Sequence, residues 1–107
     1  MGLSIVRVDD PEGFALIGEM DVSNADALDA ELRAWAGHRD MTLDLSKLEF
    51  IDSSGVRILI DAVARLRGSA DRLILVDPTP PVERVFEVLG LGAHGVDIRI
   101  TEDRQER

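Results

Sequence analysis

The chain has 107 residues, a formal net charge of −9 with 21 acidic against 12 basic residues, 45% hydrophobic residues and no cysteine. That length gives room for one core. The acidity argues against a nucleic-acid binder, whose affinity depends on basic groups displacing counterions from phosphates, and the lack of cysteine removes disulfide frameworks, thiolate metal sites and cysteine nucleophiles.

Leu3 to Val8 are rich in branched apolar side chains and predict a first strand, with Asp9, Asp10, Pro11, Glu12 and Gly13 as the turn after it. Phe14 to Ile17 predict a second strand. So short a connection joins only antiparallel neighbours. Ser23 stands as the N-cap of a first helix whose buried stripe is Ala25, Leu28, Leu32 and Trp35, ending near Gly37.

Met41, Leu43 and Leu45 alternate with Thr42 and Asp44 as a third strand. Val56, Leu59, Ile60, Val63 and Leu66 form the stripe of a second helix, with Arg57, Asp61 and Arg65 on its wet face. Leu73 to Val76 predict a fourth strand, and the proline-rich run 77–81 opens a third helix carrying Val82, Val85, Phe86 and Leu89 and ending before Gly90 or Gly92. A last strand spans about Val96 to Ile100, and residues 101–107 form a polar tail. No apolar run approaches the roughly 18 residues of a membrane-spanning helix, and the N-terminus shows no secretory signal. Membrane insertion is not expected.

From the second strand on, the order is β-α-β-α-β-α-β. It predicts an α/β fold with a mixed, mostly parallel sheet, the first strand antiparallel and the helices mainly on one face. Sites in such sheets form beyond the carboxyl ends of the parallel strands. The two loops of interest are Glu19 to Ser23 and Asp52 to Gly55, expected side by side because their strands are neighbours.

Ser53 and Ser54 open the second helix, where unpaired backbone amides and the helix dipole favour a negative group. One of them is either an N-cap or the acceptor of a phosphate. Gly55 either lets a partner approach the backbone closely or is simply tolerated in a first turn.

The segment Leu43-Asp44-Leu45-Ser46-Lys47-Leu48-Glu49-Phe50-Ile51-Asp52-Ser53-Ser54-Gly55-Val56 resembles the signature of the STAS family, shared by sulfate transporters and anti-sigma factor antagonists. Gly18-Glu19-Met20-Asp21 is similar to the family's Gly-Glu-Leu-Asp, and Val82 to Phe86 followed by Gly90-Leu91 is similar to its third-helix segment. The resemblance implies one STAS domain over residues 1–107, with a core of about 3–100.

It further implies that Ser53 is phosphorylated by an anti-sigma factor that is also a serine kinase. The unphosphorylated antagonist binds that kinase and frees the sigma factor; a metal-dependent serine phosphatase resets the modified form. Asp21 matches the acidic residue beside the phosphosite. Asp21, Ser23, Asp52, Ser54, Gly55 and Arg57 make up the expected partner-binding surface. The location implied is cytoplasmic. The alternative is a STAS subunit or regulator of a transporter or larger signalling assembly.

An enzyme would have to use Asp21, Asp44 or Asp52, but His38 and His94 are isolated loop residues and no glycine-rich phosphate loop precedes a helix. No catalytic residue, metal site or cofactor is expected. A phospho-acceptor receiver domain, which would need a lysine after its last strand, does not fit. The lone lysine, Lys47, lies beside the third strand.

Overall fold

The computed structural model describes residues 2–35 and 39–100. A five-stranded sheet runs in the order β1-β2-β3-β4-β5, comprising β1 (Leu3–Asp9), β2 (Glu12–Met20), β3 (Met41–Ile51), β4 (Leu73–Val76) and β5 (Asp97–Arg99). β1 is antiparallel to β2, and every later pair is parallel. The helices are α1 (Ala25–Ala34), α2 (Ser53–Gly68) and α3 (Pro80–Val88), and a 3₁₀ turn, Leu91–His94, precedes β5.

Each crossover steps to the next strand in one direction. With right-handed connections that puts the helices on one face of the sheet. Leu16, Leu43, Leu45 and Leu75 from the strands meet Leu28, Leu59, Val82 and Phe86 from the helices in one buried cluster. The opposite face is open: Val6 is 45% and Ile17 37% exposed.

β3 is longer than the alternation of Met41, Leu43 and Leu45 indicates. After Leu45 the buried positions fall at Leu48 and Ile51, three apart. The register against β2 slips twice, so that Ala15 faces Asp44 but Ile17 faces Lys47, and Gly18 faces Leu48 but Glu19 faces Phe50. Each slip is a bulge in β3, which adds one residue while the next apolar side chain still reaches the core. These two bulges carry β3 to Ile51, directly before the Asp52 loop.

Other differences are local. β2 begins at Glu12 and ends at Met20, so Gly13 lies in the strand and not in the turn. Trp35 follows α1 as its C-cap with an extended backbone. Its ring meets Phe14 edge-on at 5.8 Å, and the guanidiniums of Arg7 and Arg39 lie 4.8 and 4.5 Å from its centroid. Leu89, expected in the buried stripe of α3, is 42% exposed because the helix has ended before it. Gly37, His38 and the tail 101–107 lie outside the described residues.

Candidate functional site

At the carboxyl end of the sheet, Met20 of β2 pairs with Ile51 of β3. The Asp52 amide donates to the Met20 carbonyl at 3.2 Å. This bond brings the loops that start at Asp21 and Asp52 side by side, as their strand order predicts.

The cap of α2 is Asp52, not a serine. Its backbone is extended and its Oδ1 accepts from the amides of Ser54 at 2.9 Å and Gly55 at 3.2 Å. Aspartate suits this role because a fixed carboxylate satisfies first-turn donors and complements the helix dipole. The consequence for function is direct. With Asp52 as cap, Ser53 occupies the first helical position, exposed, with its hydroxyl in no hydrogen bond among the described residues, while Ser54 is half-buried.

The neighbouring loop is organised by its own side chains. Asp21 Oδ1 accepts from both the amide and the hydroxyl of Ser23. The Ser23 hydroxyl, followed by its amide, holds the Asp21 carboxyl below the usual carboxylate range. Asn24 accepts from the Asp21 amide through Oδ1 and donates to the Glu19 carbonyl through Nδ2, both at 3.0 Å. Asn24, and not Ser23, is therefore the residue that caps α1, although its side chain bonds backward into the loop and not to the first helical turn. Asp21 stays charged and ordered beside the second loop.

Gly55 is buried, and a Cβ there would lie 2.7 Å from Ile51 Cγ1 and 3.0 Å from Met20 Cε. Its first role is to let the start of α2 sit close on the two strand ends. Arg57 is exposed on the first turns of α2.

Ser53, Ser54, Val56, Arg57, Ile60 and Leu89 border an open depression of about 390 Å³ between α2 and the end of α3. Val88, next to it in sequence, is 76% exposed. Leu89 escapes sequence reasoning because its spacing fits the stripe of α3; only the following Gly90, with φ of 68°, signals that the helix has stopped. Thr79, the N-cap of α3, donates from Oγ1 to the Leu48 carbonyl at 2.7 Å and ties the third loop to the bulged part of β3.

Removing the Asp52 carboxylate should measure its capping role. Asp52→Ala is expected to cost about 1 kcal/mol, with a melting temperature lower by roughly 4–8 °C, while Asp52→Asn keeps an acceptor and most of the stability. Thermal unfolding of the two variants checks this, and equal melting temperatures for Asp52→Ala and wild type would contradict it.

Among the described residues, no three His, Cys, Asp or Glu gather as a metal site. No helix among them is long and apolar enough to cross a membrane.

Comparison with known proteins agrees with this architecture. A family model described as Mlab, STAS domain matches residues 5–100. A Bordetella bronchiseptica protein that carries the name anti-sigma factor antagonist BtrV is 35% identical over 92 residues, 84% of this chain and 79% of that protein. The anti-sigma F factor antagonist of Lysinibacillus sphaericus is 33% identical over 85 residues, 77% of this chain and 73% of the relative.

Among solved structures, an anti-sigma factor antagonist from Mycobacterium paratuberculosis superposes with a TM-score of 0.76 at 24% identity, covering 96% of this chain and 88% of that one. Unphosphorylated SpoIIAA, an anti-sigma factor antagonist, gives 0.71 at 25% identity, covering 97% and 92%. The type is a regulatory binding protein and not an enzyme. The chain belongs to the STAS domain family and is of the anti-sigma factor antagonist type.

Proposed function

We propose that the chain is a partner switch: unphosphorylated, it binds an anti-sigma factor that is also a serine kinase, and phosphorylation of Ser53 releases it. The observation that carries this reading is the division of labour at the start of α2. Asp52 takes the structural task of capping, which leaves the Ser53 hydroxyl exposed and unbonded at the edge of an apolar depression. A hydroxyl needed as a cap would be held by the helix; this one is available to a kinase.

Asp21, Ser23, Asp52, Ser54 and Arg57 surround Ser53 as the docking surface, with Gly55 supporting it from beneath. A metal-dependent serine phosphatase would complete the cycle, and the reading carries with it a cytoplasmic setting. Nothing in the scheme calls for a cofactor of the chain's own.

The test is displacement. Added to a purified complex of sigma factor and anti-sigma kinase, the unphosphorylated chain should free the sigma factor in size-exclusion chromatography. A complex that persists in excess antagonist, with a stable association to a membrane permease instead, would favour the alternative of a transporter or assembly subunit.

A further inference from the structure

We infer that Arg57 is the intramolecular partner of phosphorylated Ser53, so that the modification both adds an anion to the docking face and withdraws a cation from it. The inference rests on the reading of Ser53 as the phosphoacceptor. Ser53 and Arg57 stand at i and i+4 in α2, a spacing at which side chains are neighbours on the helix surface. Helical side chains lean toward the N-terminus, so the long Arg57 stem reaches back over the turn that holds Ser53.

Both residues border the same depression, and Arg57 is the charged one among its lining residues. Among the described residues no carboxylate pairs with Arg57. Of the nearby acids, Asp52 Oδ1 holds the amides of Ser54 and Gly55, and Asp61, one turn further along α2, makes no ion pair with Arg57 among the described residues.

The alternative donors for a phosphate here are the first-turn amides. Asp52 already occupies two of them. The planar guanidinium offers a fork of donors that matches two phosphate oxygens, and the phosphoserine would carry about −1.5 to −2 charge at neutral pH. A free cation on the docking face thereby becomes part of an intrahelical ion pair with net negative charge.

The experiment installs phosphoserine at position 53 of the full chain during translation, with no kinase involved, and follows the phosphate by ³¹P NMR. The second phosphate ionisation is expected about 0.15–0.4 unit lower in the wild-type background than in Arg57→Gln, a change of roughly 1.4- to 2.5-fold in proton affinity. Arg57→Lys should keep part of that difference, and the Arg57 Nε–H resonance should move on modification. Identical phosphate titrations in the wild-type and Arg57→Gln backgrounds, or an unmoved Arg57 resonance, would overturn the inference. Since the phosphate is introduced without a kinase, that failure would leave the partner-switch reading intact. Failure of a kinase to modify Ser53 would instead strike the switch and not the ion pair.

Discussion

Phosphorylation of Ser53 is expected to weaken binding to the anti-sigma kinase about a hundredfold while leaving the fold in place. The fold survives because the hydroxyl bonds to none of the described residues and Asp52 caps the helix. Binding does not, because a dianion of about −1.5 to −2 charge must be desolvated against the partner or set beside its acids, at a cost on the order of 3 kcal/mol.

Ser53→Ala should therefore bind like the unphosphorylated chain, Ser53→Asp should be partly released, and both should melt within a few degrees of wild type. Ser54→Ala leaves the acceptor in place and should remain a substrate. Isothermal titration of these variants and of the phosphorylated wild type against the kinase reads the effect. Equal affinities before and after modification would show that release is not electrostatic at this site.

Gly13→Ala is expected to destabilise the protein by more than about 4 kcal/mol, a large part of the roughly 5–15 kcal/mol that holds an ordinary domain folded. Gly13 pairs with Thr42 across the β2–β3 ladder, and a Cβ at Gly13 would fall 1.7 Å from the Thr42 carbonyl oxygen. The oxygen belongs to the β3 backbone and the Cβ is fixed rigidly to that of β2, so relief requires moving the strands apart. Gly68, the last residue of α2, is the control: a Cβ there meets nothing within 4 Å. Gly68→Ala should be neutral or stabilising by up to about 1 kcal/mol. Urea unfolding of the pair checks this, and a Gly13→Ala protein with the wild-type midpoint would contradict the β2–β3 register.

The order of strands and helices was legible because each crossover segment carries its own apolar period and each boundary has its own Gly, Pro or Asp. The length of β3 was not legible. Alternation ends at Leu45, and the two bulges that follow change the spacing of core residues from two to three, a pattern that matches neither a regular strand nor a helix.

At the site, the side-by-side position of the two loops followed from strand order, with Asp21 in the first, Ser53 opening α2 and Arg57 exposed one turn later. What spacing could not settle was which of several polar residues spends its side chain on the backbone. Ser23, Asn24, Asp52, Ser53 and Ser54 are all good caps. The choice falls to Asp52 for α2 because bulged β3 delivers it with an extended backbone. For α1, Ser23 is diverted to Asp21, which leaves the capping position to Asn24. Leu89 was misread for a related reason, since periodicity continues to suggest burial for one residue beyond the true end of a helix.

If Ser53 is the residue a kinase modifies, peptide mass spectrometry of the chain after incubation with a candidate anti-sigma kinase and ATP will show it. A single phosphate is expected on the peptide that contains Ser53, located at Ser53 by fragmentation, retained in Ser54→Ala and lost in Ser53→Ala. Efficient phosphorylation of Ser53→Ala at Ser54, or modification confined to another part of the chain, would contradict it.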